Sequence, residues 1–261
     1  MNRKELLDKL QGLHIPEIRF FDSIGSTNEE ALKWAAEGAS DNSLVIANRQ
    51  TAGRGRGRRH WITASGSSLA FSLILKPDKK EMLNLLLFSP LGALAVSEAA
   101  EFFCHLPVYI KWPNDILLNR KKFAGILAES CWTGSELLSL VLGVGVNIAP
   151  KSVPKSRKLL FPATCLETAC RKKLDRLDVL KIILEKFFTL RKELATPAFH
   201  NAWQERLAFK GEDVYIYDSK HNPQEGKLIG INRQGHLLLQ NKNGQKMYFP
   251  IGDLHLRPSK H

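Results

Sequence analysis

Between Arg49 and Trp61 the chain reads R-Q-T-A-G-R-G-R-G-R-R-H-W, three glycines and five arginines in thirteen residues. Closely spaced glycines weaken helix and strand alike, and neighbouring guanidinium groups repel, so this segment cannot be the interior of either. On both sides stand apolar, β-branched runs, Ser43 to Gln50 and Leu69 to Leu75, which are predicted strands. A loop tied between two core strands is held by a rigid scaffold. Its arginines carry planar forks of donors matched to carboxylate and phosphate, so the expected guest is an anion. Taken alone, the tract also fits a flexible segment that touches nucleic acid without sequence preference.

A formal net charge of +12 over 261 residues points to acidic partners in general, with nucleotides, nucleic acid and acidic protein surfaces all fitting. Hydrophobic content of 44% suffices for a substantial core. The N-terminal M-N-R-K-E-L-L-D-K-L has charge where a signal peptide needs an apolar centre, and no uninterrupted apolar run is long enough for a bilayer. Cys104, Cys131, Cys165 and Cys170 form no C-x-x-C pair and have no histidines at zinc spacing, so reduced thiols in a cytoplasmic protein are expected.

In chain order, Lys4 to Leu10 predicts a short helix and Glu17 to Asp22 a strand. Ser26 with Glu29 three residues on is a capping-box pattern, so a helix is expected over Thr27 to Glu37, stopped by Gly38. Its N-terminus offers free N–H groups and hydroxyls to a polar ligand, although Ser26, Thr27 and Asn28 also read as a cap and nothing more. Met82 to Phe103 has the spacing of one long core helix. Val108 to Leu118 reads as strand, break at Pro113, strand, with Lys111, Asn114 and Asp115 gathered at the break. Those three are either turn chemistry or a phosphate contact with a magnesium ligand. Asn119 to Lys122 is a hairpin tip, and Phe123 to Ser130 the strand after it. Leu137 to Val144 runs into G-V-G-V-N, Gly143 to Asn147, whose alternate glycines face one side of a strand and leave room for a ligand. Pro150 to Pro162 is a polar loop, and Asp178 to Glu193 and Pro197 to Leu207 are helices. From Gly211 short strands alternate with Asn, Gly and Gln turns, the texture of a small β-barrel, so a domain boundary is expected near Lys210.

Five motifs in this order resemble the biotin protein ligase (biotin–acetyl-CoA-carboxylase ligase) family. They are G-S-T-N at Gly25 to Asn28, Q-T-A-G-R-G-R at Gln50 to Arg56, K-W-P-N-D at Lys111 to Asp115, K-F-A-G-I-L at Lys122 to Leu127 and G-V-G-V-N at Gly143 to Asn147. The resemblance covers essentially the whole chain, and the pairing of G-R-G-R with K-W-P-N-D is its most specific part. It implies an α+β fold: a mixed β-sheet catalytic domain flanked by helices, of the class II synthetase-like, biotin/lipoate ligase type, over residues 1–209. An SH3-like barrel over 210–261 would follow. Only a short stretch precedes the first strand, so the form expected is the one without an N-terminal helix-turn-helix.

The same resemblance assigns residues. Ser26, Thr27 and Asn28 would hold the ureido end of biotin. Gln50, Gly53, Arg54, Gly55 and Arg56 would line the biotin pocket and close over the intermediate, biotinyl-5'-AMP. Gly125, Gly143 and Gly145 would keep its floor open. Lys122 would meet the biotin carboxylate and the attacked phosphate, with Arg54, Arg56 and Asp115 completing the catalytic set. Arg56, Arg59, Trp61, Lys111, Asn114, Asp115 and Asn147 would serve ATP, Asp115 being the candidate Mg2+ ligand and the nearest candidate base for the second step. One departure is the order Gly57-Arg58, the reverse of the family's usual bulky-then-glycine order, which moves the expected hinge one residue earlier.

The implied partner is the biotin carboxyl carrier protein of acetyl-CoA carboxylase or of another biotin-dependent carboxylase. No specific DNA binding and no membrane association are expected, and both monomer and homodimer stay open. Two other readings compete. A lipoate or octanoate ligase or transferase is related in fold, but the arginine-glycine loop and the C-terminal barrel favour biotin, and a nucleic-acid binder leaves K-W-P-N-D and G-V-G-V-N without a purpose.

Overall fold

A computed structural model describes residues 1–57, 59–154, 159, 161–218, 223–251 and 254–259. The chain opens with α1 (Arg3–Leu10), β1 (Ile18–Phe21), α2 (Thr27–Ala36), β2 (Ser43–Ala47) and β3 (Ser68–Leu75). Then come α3 (Lys79–Met82), α4 (Phe88–Cys104), β4 (Tyr109–Lys111), β5 (Asp115–Leu118), β6 (Lys121–Thr133) and β7 (Glu136–Asn147). Three helices follow, α5 (Leu166–Cys170), α6 (Arg176–Arg191) and α7 (Pro197–Glu205). The last elements are strands β8 (Asp213–Asp218), β9 (Gln224–Ile231), β10 (Leu237–Gln240), β11 (Lys246–Phe249) and β12 (Leu254–Pro258).

The first seven strands form one mixed sheet in the order β1-β2-β3-β7-β6-β5-β4, and the last five an antiparallel sheet ordered β11-β10-β9-β8-β12. This is the α+β architecture expected, with the second sheet matching an SH3-like unit. Among the strands described, β1 and β2 are the pair that runs parallel, which the intervening α2 permits as a crossover. Every residue of β2 and β3 is buried, because helices cover both faces. On one face α2 buries Ala31, Trp34 and Ala35 against Val45, Ile74 and Val141. On the other, α4 and α6 pack together, and their apolar cluster continues through Trp112 and Trp203 to Val214, Leu228 and Leu256 of the second sheet.

Three expectations are corrected here. The helix expected from Met82 to Phe103 is divided into α3, a 3-10 turn at Leu85–Leu87, and α4. Pro90 is the physical reason: an unbroken helix would hold it in the interior, whereas in the first turn of α4 its missing N–H leaves no bond undone. Counted with that turn, Leu85–Cys104 is long and apolar enough to cross a bilayer, but 67% of its apolar window is buried inside the fold. The thiols are not all reduced: Cys104 at the end of α4 and Cys170 at the end of α5 form a disulfide, with Cα atoms 4.4 Å apart. The packing of α5 against α4 brings together two cysteines separated by 66 residues, while Cys131 and Cys165 are free. Strand β12 is an addition to the expected barrel strands, since L-H-L-R-P is short and mixed in character.

The two sheets are stitched by polar contacts as well as by the core. Trp112, fully buried, donates from Nε1 to the Gly235 carbonyl at 3.0 Å. Arg120, at the β5–β6 turn, makes a two-pronged contact with Glu212 at 2.7 and 2.9 Å. Helix α7 is tied to the second sheet as well, Gln204 accepting from the Ile231 N–H at 2.9 Å. Trp112→Phe would strand the Gly235 carbonyl in a buried contact. The expected cost is about 1–3 kcal/mol, a drop of roughly 5 °C in Tm by differential scanning calorimetry.

Candidate active site

The site begins as a row of small residues across the first sheet. Ala70 of β3 stands opposite Gly145 of β7, Gly145 opposite Gly125 of β6, Gly125 opposite Asp115 of β5, and Asp115 opposite Lys111 of β4. Two residues along, and therefore on the same face, lies the row Ser72, Gly143 and Leu127. With no side chains rising from its middle, this face is a trench. It encloses a cavity of about 130 Å³. The glycines are not bare, however. A Cβ on Gly143 would overlap the Asn28 amide, and one on Gly145 would overlap the Trp61 indole. The floor glycines expected to keep the pocket open thus also seat two of its walls.

One end of the trench is a neutral polar cluster at the N-terminus of α2. Ser26 caps the helix, accepting from the Glu29 N–H at 3.5 Å. Gln50 Oε1 receives the Thr27 N–H at 2.8 Å and stands 3.0 Å from the Thr27 hydroxyl. The Ser72 hydroxyl bridges Thr27 Oγ1 at 2.8 Å and Asn28 Oδ1 at 2.6 Å. Since an amide oxygen can only accept, the Ser72 proton belongs to the Asn28 bond. Ser26, Thr27, Asn28, Ser72 and Gln50 are all buried.

The other end is cationic. Asp115 sits between two ammonium groups, Lys111 Nζ at 3.0 Å from Oδ2 and Lys122 Nζ against Oδ1. Burial alone would raise the Asp115 carboxyl, but Lys122 and Lys111 outweigh it and hold the group well below the usual carboxylate range. Burial lowers the pKa of Lys111, which is 4% exposed. Asn114 fixes the strand break, donating to the Ile126 carbonyl at 2.6 Å, and its Oδ1 accepts from Arg56 Nη1 at 3.3 Å. Arg257 of β12 contributes a further cation: burial lowers its pKa, while Asp115 and Arg59 are the charges it feels most.

Asp115 is a poor proton acceptor in this setting, which argues against the base role considered from sequence. Nor do the residues fit a protein-held magnesium ion. The single carboxylate already has an ammonium on each oxygen, and no cluster of three His, Cys, Asp or Glu side chains occurs among the described residues.

The arginine-glycine segment spans the two ends as a lid. Its arms pair with each other: Trp61 N–H donates to the Gly53 carbonyl at 2.8 Å, Gly55 N–H to the Arg59 carbonyl at 2.8 Å, and Arg54 and His60 form an antiparallel bridge. Gly53 is needed because a Cβ there would strike the Trp61 backbone. At the tip, Gly57 has φ +59°, a conformation that glycine adopts at no steric cost. Arg58 lies outside the described residues. Arg54 turns to the polar end, where its Nη2 meets Glu129 Oε1 at 2.6 Å, and Arg56 turns to the cationic end. Trp61 lies under the lid with Lys122 Nζ 5.5 Å from its ring centre, and its buried Nε1 has no hydrogen-bond partner among the described residues.

Most of the residues picked from sequence meet in this cavity: Ser26, Thr27, Asn28, Gln50, Arg54, Gly55, Arg56, Arg59, Trp61, Asn114, Asp115, Lys122, Gly125, Gly143 and Gly145 line it. Lys111 stands behind Asp115, and Gly53 supports the lid. Asn147, donating to the Thr164 carbonyl at 3.1 Å, lines a neighbouring cavity of about 150 Å³ that shares Trp61 and Lys122 with the trench. Sequence reasoning misses Ser72, Glu129 and Arg257. The first two carry a signal: Ser72 is a lone polar residue in an apolar strand, and Glu129 falls on the same strand face as Gly125.

A profile of the biotin/lipoate A/B protein ligase family matches residues 20–147. The chain is 34% identical over 239 residues to the bifunctional ligase/repressor BirA of Bacillus subtilis, covering 88% of this chain and 71% of that protein. It is 34% identical over 230 residues to the biotin–[acetyl-CoA-carboxylase] ligase of Paracoccus denitrificans, covering 85% of this chain and 93% of that one. Among solved structures, the biotin protein ligase of Aquifex aeolicus in complex with biotin and ATP superposes with a TM-score of 0.81 at 30% identity. That match covers 94% of this chain and all of the other.

Removing the Asp115 charge tests the cationic end directly. Asp115→Asn leaves two ammonium groups facing each other, at a cost of about 3–5 kcal/mol, or roughly 10 °C in Tm. Lys111→Met, which leaves Lys122 to neutralise Asp115, should cost clearly less. Because the folded-state pKa of Asp115 is depressed, its contribution is full at pH 7. The Asp115→Asn penalty should therefore shrink once pH falls below the ordinary carboxylate range, as thermal unfolding at several pH values would show.

Proposed function

This chain belongs to the biotin protein ligases of the biotin/lipoate A/B protein ligase family, and from that membership we propose how its trench performs the reaction. The protein is an ATP-dependent biotin ligase: it joins biotin to AMP and then hands the biotinyl group to a lysine of a biotin carrier protein. The observation that carries the assignment of residues is the polarity of the trench, buried neutral donors and acceptors edged by the Arg54–Glu129 pair at one end and Lys122, Lys111 and Arg56 at the other, under one lid.

In this reading the ureido group of biotin lies against Ser26, Thr27, Asn28 and Gln50, and its carboxylate reaches toward Lys122. The nucleotide enters beside Asn147, Trp61 and Lys122, with Arg56, Arg59 and Asn114 around its phosphates and Lys111 acting on them from behind Asp115. The biotin carboxylate attacks the α-phosphorus, forming the acyl–phosphate bond and expelling pyrophosphate. It is already ionised, so no base is needed for this step. The barrier is mostly the repulsion of an anion approaching a polyanion, and Lys122 and Arg56 lower it by meeting charge on the transferring oxygens. Asp115 keeps the two lysines in place. In the second step a carrier lysine, losing its proton, attacks the acyl carbon, and AMP leaves. Between the steps the lid keeps water from the mixed anhydride.

The carrier proposed is the biotin carboxyl carrier protein of acetyl-CoA carboxylase, and the setting proposed is the cytoplasm. The net charge of +12 suits steering of an acidic carrier, so carrier biotinylation should slow as salt is added. A division near Lys210 between catalytic and barrel domains completes the proposal.

ATP–pyrophosphate exchange, run with biotin, lipoate and octanoate in parallel, tests the substrate. Exchange with biotin alone is expected, and exchange with lipoate instead would move the protein to the other branch of its family. Lys122→Ala should abolish most of the exchange, and retention of full adenylate synthesis would remove Lys122 from its role. Arg56→Gly should loosen biotinyl-adenylate more than free biotin, as binding measurements on both would show, and equal losses would contradict the role of the lid.

A further inference from the structure

The carboxylate of Glu129 touches both the lid and the polar end of the trench. It projects from β6 on the same face as Gly125 and Leu127 and has 20% of its side chain exposed. One oxygen, Oε1, takes Arg54 Nη2 at 2.6 Å, and the other, Oε2, takes Asn28 Nδ2 at 2.8 Å. The Glu129 carboxylate and the Leu127 carbonyl, at 3.4 Å, can only accept, whereas the Ser72 hydroxyl on the other side can donate, so the NH2 of Asn28 must face Glu129. Its oxygen is then presented to Ser72 at 2.6 Å, which in turn touches Thr27, which touches Gln50. Gln50 is itself the root of the lid, its backbone N–H and carbonyl both joined to the Thr63 hydroxyl at 2.9 and 3.0 Å. The series Arg54, Glu129, Asn28, Ser72, Thr27, Gln50 therefore starts on the lid, crosses the floor and returns to the lid.

We propose that Glu129 is a positioning residue for the ligase reaction. It sets the direction of the Asn28 amide at the polar end and tethers the lid through Arg54, so that one carboxylate couples the state of the lid to the shape of the pocket. The proposal rests on the biotin ligase reading above. Both contacts to Glu129 are charge-assisted and hence stronger than neutral hydrogen bonds. Glu29, 4.0 Å from Arg54 Nη1 and 58% exposed, is too solvated to replace the tether. No proton transfer is asked of Glu129.

Glu129→Gln and Glu129→Ala separate the two duties. Glutamine keeps an acceptor for Asn28 but loses the charge that holds Arg54, whereas alanine loses both. Three readouts apply: trypsin nicking after Arg54, Arg56 and Arg59 in the protein without substrates, KM and kcat for biotin in pyrophosphate exchange, and the dissociation rate of preformed biotinyl-adenylate. For Glu129→Gln, nicking and adenylate dissociation should rise about tenfold, the loss of one charge-assisted bond, with biotin KM little changed. For Glu129→Ala, biotin KM should also rise about tenfold. Arg54→Gln added to Glu129→Gln should bring little further loss, because the shared contact is already gone.

Wild-type nicking, adenylate retention and KM in both variants, with only Tm reduced, would overturn the proposal and leave Glu129 a structural residue. If the wild type shows no biotin-dependent exchange, the ligase reading fails instead. The substrate-free nicking assay still reports on the tether in that case, so the two failures cannot be confused.

Discussion

Everything the site can do depends on the absence of side chains from the middle of one sheet face. Ala70, Gly145 and Gly125 lie in register across three strands, with Gly143 in the row beside them. A sheet face without such a row would be covered by its own side chains or by a helix, as Val45, Ile74 and Val141 are covered by α2 farther along. Because the bare region ends at Asp115 and Lys111 on one side and at the start of α2 on the other, its two ends have opposite chemistry. The strands hold both ends at fixed separation. The lid has only to bridge them.

The charges follow a second logic. A site that brings two anions together needs cations, yet cations crowded in a buried place repel each other and lose solvation. Asp115 resolves the conflict by sitting between Lys111 and Lys122, so the two lysines are held close without a bound anion. Its acidity is the result: the same two neighbours that make it a poor base make it a good spacer. The arginines of the lid are handled differently, parted by Gly55 and sent to opposite ends, Arg54 to Glu129 and Arg56 to Asn114.

Much of this is legible in the amino-acid sequence. The strands flanking the lid, the cap at Ser26, the break at Pro113 and the alternate glycines of Gly143 to Asn147 each rest on local rules of backbone and periodicity, and the motifs in order point to the family. What is not legible depends on register. That Gly125 faces Gly145, or that Ser72 faces Gly143, is a fact of strand pairing, which no single segment encodes. Glu129 reads as an ordinary end-of-strand acid, because the partners that give it a role stand 75 and 101 residues away. The disulfide between Cys104 and Cys170 is hidden for the same reason, since it follows from the packing of α5 on α4. The split of the long helix, by contrast, has a local cause in Pro90.

A lid pinned at two separated points behaves differently from one held by a single strong clasp. If Arg54 and Arg56 let go independently, the lid is free only in the moments when both have released, and the chance of that is the product of two separate chances. Two bonds, each breaking and re-forming quickly, can then keep a reactive intermediate enclosed for long periods. A carrier that displaces either pin would change that product at once, turning a slow leak into a directed release.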